Sequence, residues 1–151
     1  MTLEHKIDSG TARIAVIGLG YVGLPLAVAL AEVGLSVTGI DVDATRVEAI
    51  RRGESYLRDV EGATIACLRA AGRLEATADY DALRAADAIF ICVPTPDDRQ
   101  HAPDLSYIVA AAQGIAPRLQ RGQLVVLQST TYPGTTEEQV QPILETSGLV
   151  A

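Results

Sequence analysis

Residues 16–25 read VIGLGYVGLP, three glycines spaced G-x-G-x-x-G between two apolar runs. The setting of those glycines restricts the fold more than any other feature of the chain. Residues 13–17, RIAVI, form a short β-branched stretch suited to a buried strand, and residues 21–33 are long enough for a helix. The next apolar run, SVTGI at 36–40, leads directly to an acidic residue, Asp41, 18 positions after Gly23. Strand, glycine turn, helix, second strand and terminal carboxylate together compose a dinucleotide-binding fingerprint.

Each position has a physical reason. Gly18 turns the chain sharply out of the strand, Gly20 lacks a Cβ so that a pyrophosphate can approach the main chain, and Gly23 lets helix and strand pack closely. The helix N-terminus offers unpaired N–H groups and partial positive charge to phosphates. Pro25 falls in the first turn, where its missing N–H costs little. Asp41 would accept a hydrogen bond from a ribose 2′-OH while its charge repels a 2′-phosphate, which favours NAD over NADP. The alternatives for such a turn are another adenosine ligand or a Rossmann-like domain that binds nothing.

The chain has 151 residues, 48% hydrophobic and 21% charged, which suits one soluble domain with a core of its own. No apolar run approaches the ~20 residues of a membrane span. The N-terminus, MTLEHKIDSG, is polar and mixed in charge, unlike a secretory signal. Cytoplasmic residence without a membrane partner is the expectation. The net charge of −7 argues against a nucleic-acid surface. Cys67 and Cys92 are too few for a disulfide framework, and no cysteine or histidine spacing suggests a metal. Both cysteines stand among apolar neighbours and read as buried, inert thiols. His5 belongs to a floppy N-terminal tail, residues 1–11, and His101 to a solvated loop.

Strand and helix patterns alternate along the rest of the chain. Residues 44–52 read as a helix capped by Asp43 and stopped by Gly53. Residues 54–59 are a polar connection, 60–71 a helix, 74–77 a short strand and 79–86 a short amphipathic helix. Residues 88–93 are a fully apolar strand of the parallel-sheet kind. A loop with three prolines covers 94–103, and Asp104 caps a helix whose apolar residues between positions 105 and 119 recur at helical spacing. Residues 123–128 are the fifth strand. Thr135 with Glu138 makes a capping box for the last helix, which Pro142 kinks or shortens. Such alternation predicts an α/β fold over residues 12–151, a Rossmann-type doubly wound parallel sheet in the order 3-2-1-4-5 with helices on both faces. The ligand crevice then lies between strands 1 and 4, beyond their carboxyl ends, where residues 94–96 and 129–131 join the glycine turn.

Two loops carry more text than a dinucleotide domain needs: CVPTPDDRQHAPDLSYI after strand 4 and QSTTYPGTTEE after strand 5. With GLGYVGLPLA, the D-x-D-x-x-R-V of 41–47 and the GESYLRD of 53–59, they closely resemble the UDP-glucose/GDP-mannose dehydrogenase family in its N-terminal NAD-binding domain, over residues 11–151. STTYPGTTEE looks most like the subgroup that oxidises UDP-N-acetylhexosamines. The resemblance implies NAD as cofactor. It also implies that Tyr21 and Val22 give N–H groups to the pyrophosphate, that Asp41 holds the adenosine ribose, and that Arg46 flanks ribose and adenine. By the same resemblance Val93, Pro94 and Thr95 would line the cleft and Ser129 would border it. Thr130 would sit beside the nicotinamide and help hold the catalytic water. The plainer alternatives are a solvated surface arginine for Arg46 and a strand-end hydroxyl satisfying backbone groups for Thr130.

Members of that family oxidise the C6 alcohol of a nucleotide sugar to a carboxylate with two NAD⁺, through an aldehyde captured by a cysteine. Their nucleophilic cysteine, lysine, asparagine and sugar-binding residues lie in later domains. The resemblance therefore implies the NAD-binding part of such an enzyme, present as a fragment or a natural truncation, binding NAD(H) without turnover. Strand 5 would then be an open edge, and self-association is expected. Two rivals remain. A stand-alone NAD-sensing regulatory module has no use for the two loop texts, and an S-adenosylmethionine methyltransferase would need a substrate pocket that the sequence does not display.

Overall fold

The strand at 13–17 is apolar on both faces, so it can only be satisfied in the middle of a sheet covered on both sides. The computed structural model, which describes residues 1–97 and 102–151, places it there. His101 lies outside the described residues. β1 (Arg13–Ile17) is flanked by β2 (Ser36–Ile40) and β4 (Ala88–Ile91), with β3 (Leu74–Thr77) and β5 (Leu124–Leu127) at the edges. The order is β3-β2-β1-β4-β5 and every neighbouring pair is parallel. Parallel neighbours demand crossovers, and the helices that supply them cover both faces.

The alternation of β1 divides the core in two. Ile14 and Val16 face α2 (Gly23–Glu32), α3 (Ala44–Arg51) and α4 (Gly62–Ala70), packing with Leu24, Val28, Ile50 and Ile65. Ala15 and Ile17 face α5 (Ser106–Ile115) and the 3₁₀ helix Tyr80–Ala85, packing with Leu83, Ile108, Ala112 and Ile115. Asp43 caps α3 by accepting from the Thr45 N–H, and Gly53 closes the helix in the left-handed region at φ +71°. At the far end of the chain, residues 141–144 form α6 (Gln141–Leu144).

Three details differ from the pattern-based expectation. Where a tail is expected, Leu3–Asp8 forms a short helix, α1, capped by the Thr2 hydroxyl. Its Lys6 ammonium is hydrogen-bonded to Asp87, whose other oxygen accepts from the Arg13 N–H at 2.9 Å. Cys67 is exposed, not buried, because Ile65 and Leu68 define the inward face of α4 and position 67 falls outside that stripe. Cys92 is buried as expected. Thr135 makes no capping box: it already has helical backbone angles, and its hydroxyl donates to the Tyr132 carbonyl at 2.8 Å. The next turn, Thr136–Val140, is a π-helix that gives way to α6 with Pro142 at its start. Pro142 has no N–H for the carbonyl of Glu138, so the regular ladder cannot run through it.

The Lys6–Asp87 clasp yields a pH-dependent expectation. Burial opposes ionisation of Asp87, but the Lys6 and Arg13 hydrogen bonds and charges outweigh it and hold the carboxyl below its ordinary range. A depressed carboxylate contributes stability that is complete above the unfolded-state pKa and is lost as pH falls through the folded-state value. Asp87→Asn should therefore lower unfolding free energy at neutral pH by roughly 1 kcal/mol. In urea titrations the gap between the two proteins should close as pH drops below the usual carboxylate range.

Candidate dinucleotide site

Strand register builds the site. Ile17 is level with Ile40 on one side and Ile91 on the other, and Ile91 is level with Leu127. The ladder continues for one further residue at each exit: Gly18 N–H to Ile40 O at 2.8 Å, Cys92 N–H to Ile17 O at 2.7 Å, and Gln128 N–H to Ile91 O at 2.9 Å. Four loops therefore leave the sheet side by side, and a cleft of about 530 Å³ opens beyond them. Such crevices at the carboxyl ends of parallel strands are where α/β folds place ligands.

Gly18, Gly20, Tyr21 and Val22 form one wall of the cleft. Gly18 has φ +90°, and a Cβ there would stand 2.6 Å from the Cys92 carbonyl oxygen. Gly23 does not line the cleft but decides its shape: a Cβ on it would lie 1.6 Å from the Gly18 oxygen, so only glycine lets α2 start this close to β1. Gly20 is different. A Cβ there would meet nothing nearer than Arg46 Nη1 at 3.7 Å, because that side of the turn faces open space. Among the described residues none accepts from the N–H groups of Gly20, Tyr21 or Val22, which precede α2 with their donors unused. The donors and the missing Cβ fit a diphosphate.

Asp41 closes the second side. Its side chain is only 7% exposed, and it accepts from the Leu19 N–H through Oδ2 and the Asp43 N–H through Oδ1, both at 2.8 Å. Arg46 Nη1 lies 3.4 Å from Asp41 Oδ2, and its Nε lies 3.7 Å from Asp43 Oδ2. The guanidinium is thus held by two carboxylates on the rim of the cleft. It also sits 5.7 Å from the centre of the Tyr56 ring. Two acidic groups against one cation leave this end of the cleft unsuited to an additional phosphate.

The loops after β4 and β5 make the opposite wall, and they are stitched together. The Thr95 hydroxyl donates to the Thr130 carbonyl at 2.6 Å, and the Ser129 hydroxyl donates to the Val93 carbonyl at 2.7 Å. Val93, Pro94, Thr95, Ser129 and Thr130 all line the cleft. Thr95 and Ser129 spend their hydroxyls on this stitching, whereas among the described residues nothing takes the Thr130 hydroxyl, which is exposed. Thr131 and the buried Thr135 share a hydrogen bond at 2.8 Å and fold the following turn beneath it. The Cys92 thiol is pushed up to about 11 by burial and stays protonated at neutral pH.

Three contributors have no signal in the glycine fingerprint. Tyr80, Tyr107 and Val42 also line the cleft. Tyr80 rests on Gly114 of α5, where a Cβ would come within 2.5 Å of its ring. Its place just past the carboxyl end of β3 is the one feature that could have marked it.

This fold and this cleft define a Rossmann-type NAD-binding domain. Residues 12–149 match the UDP-glucose/GDP-mannose dehydrogenase family, NAD binding domain, and the chain belongs to that family. It is 39% identical over 133 residues to UDP-N-acetyl-D-glucosamine 6-dehydrogenase of Pseudomonas aeruginosa, covering 88% of this chain and 31% of that protein. It is 45% identical over 141 residues to NDP-N-acetyl-D-galactosaminuronic acid dehydrogenase of Ralstonia nicotianae, covering 90% and 32%. Among solved structures, the ternary complex of GDP-mannose dehydrogenase from Pseudomonas aeruginosa superposes with a TM-score of 0.86 at 36% identity, covering 91% of this chain and 33% of that one. The chain spans about a third of the length of these relatives.

The contrast between two glycines can be tested. Gly23→Ala should destabilise the fold by about 3 kcal/mol or more, since the clash is with backbone. Gly20→Ala should leave the thermal midpoint within about 2 °C of the parent. Differential scanning calorimetry on the two variants reads the difference directly.

Proposed function

We propose that this chain is the cofactor-binding part of a nucleotide-sugar 6-dehydrogenase that oxidises the C6 alcohol of a UDP-N-acetylhexosamine to the uronate with two NAD⁺. The observation that carries the reading is the convergence, at one level of the sheet, of a donor-rich glycine turn, a buried ribose-type carboxylate and two interlocked threonine-bearing loops. A sensing module needs only the first two, so the interlocked loops favour the dehydrogenase. NAD⁺ supplies the hydride acceptor when bound, and the protein's part is to orient it and exclude the wrong coenzyme.

In this reading the N–H groups of Gly20, Tyr21 and Val22 receive the diphosphate, and Gly18 and Gly23 shape the turn that presents them. Asp41 takes the adenosine ribose hydroxyls, and Arg46, steadied by Asp41 and Asp43, covers ribose and adenine. Val93, Pro94, Thr95 and Ser129 wall the far half of the cleft. Thr130 is the group with a hydroxyl to spare there, and it helps hold the water that the later hydrolytic step consumes. The sugar and the nucleophilic cysteine belong to parts of the enzyme beyond these residues. Cys92 is too deeply protonated to act as a thiolate. A cytoplasmic setting suits such an enzyme, and among the described residues no helix is long and apolar enough to cross a membrane.

Calorimetric titration tests the assignment. NAD⁺ should bind the pure chain and NADP⁺ should bind at least about tenfold more weakly, because its 2′-phosphate meets Asp41. Equal affinity, or preference for NADP⁺, contradicts the role of Asp41. No acid should form when the chain is mixed with NAD⁺ and a UDP-hexosamine.

The edge of the sheet supports a further part of the reading, self-association. Among the described residues β5 has a neighbour on one side only, Leu124 is 46% exposed, and a second hollow of about 470 Å³ runs between β5 and residues 136–151. An open strand beside apolar surface invites pairing. Sedimentation at rising concentration should show reversible association, and a clean monomer throughout would contradict it.

A further inference from the structure

The connection at 54–59 has no role in the fingerprint, yet it sends Tyr56 into the underside of the glycine turn. Tyr56 is half-buried against the core around α2, and its hydroxyl donates to the Leu19 carbonyl. The Leu19 N–H in turn donates to Asp41 Oδ2 at 2.8 Å. Leu19 is itself fully buried, its side chain filling the space where Gly39 has no Cβ. Leu19 is therefore gripped at its N–H, its carbonyl and its side chain, by three residues that are remote from it in sequence.

The grip on the Leu19 carbonyl extends to the next residue. That carbonyl and the Gly20 N–H belong to one planar peptide unit, so fixing the direction of one fixes the direction of the other. Gly20 must lack a Cβ if a diphosphate is to approach, and that same lack removes the steric restraint on its backbone. An external lock is needed at the position where the chain is freest. Tyr56 is the group placed to provide it.

We propose that Tyr56 is a positioning residue for the diphosphate site, aiming the Gly20 N–H by holding the Leu19–Gly20 peptide through its hydroxyl. The inference rests on the reading of the cleft as an NAD⁺ site. Burial raises the Tyr56 phenol well above its ordinary pKa. The Arg46 charge opposes that rise, and the charges of Asp41 and Asp43 add to it. The hydroxyl therefore remains a donor across the neutral range. The ring also lies beneath the Arg46 guanidinium, so one side chain supports both the phosphate end and the adenosine end of the site.

Tyr56→Phe tests this, because it keeps the ring under Arg46 and deletes only the hydroxyl. The dissociation constant for NAD⁺, measured by calorimetry on the full chain, should rise about fivefold to tenfold, the worth of one buried hydrogen bond. In the ¹⁵N–¹H spectrum the Gly20 amide should move and broaden, while the amides of Ile14 and Ile89 in the sheet stay in place. An NAD⁺ affinity within about twofold of the parent overturns the inference. So does a spectral change spread equally through the sheet, which would mark Tyr56 as merely structural. Absence of NAD⁺ binding by the parent chain overturns the cofactor reading and this inference with it, whereas binding that Tyr56→Phe leaves untouched overturns this inference alone.

Discussion

Ile17 stands between Ile40 and Ile91 at one height in the sheet, and the loops leaving these three residues inherit that alignment. A slip of one residue in a parallel pair would turn every side chain of the slipped strand to the opposite face. It would also displace the glycine turn from Asp41 and from the loops after β4 and β5. The two-sided core forbids such a slip, because Ile14 and Val16 serve one layer of helices while Ala15 and Ile17 serve the other. Hydrophobic packing well below the cleft thus sets the positions of polar groups at its mouth.

On that base the polar groups hold one another before any ligand arrives. Asp41 accepts from the turn and from the start of α3, and it helps hold Arg46. The Thr95 and Ser129 hydroxyls bind backbone carbonyls across two loops. Groups fixed in advance lose less freedom on binding, which is how a shallow cleft on a small domain can take a large, flexible dinucleotide. Among the described residues, the unused N–H groups at 20–22 and the Thr130 hydroxyl are the ends of this network that face outward.

The same arrangement fits the family's NAD binding domain. The carboxylates of Asp41 and Asp43 beside Arg46 make their end of the cleft a poor place for an additional phosphate. In the relatives from Pseudomonas and Ralstonia about two thirds of the length lies outside the part matched here. The loops after β4 and β5 close the other side of the cleft, interlocked through the Thr95 and Ser129 hydroxyls.

Much of this was legible in order along the chain. Sheet order, the helix caps at Asp43 and Gly53, the glycine turn and the carboxylate after β2 follow from alternation, helical spacing and the absence of a Cβ. Those are properties of short segments, and they survive without knowledge of their neighbours. Where local pattern gave the wrong answer, a neighbour had decided otherwise: Cys67 lies off the inward stripe of α4, and the Thr135 hydroxyl serves the turn behind it. The contacts that organise the cleft were out of reach for the same reason. Tyr56 meets Leu19 across 37 positions, and Thr95 meets Thr130 across 35. The sequence by itself determined which segments become the five strands, the glycine turn and the helices that join the strands, because backbone preference and periodicity are local. Only the tertiary structure decided which hydroxyls, carboxylates and carbonyls would meet, because that depends on where the sheet carries each loop.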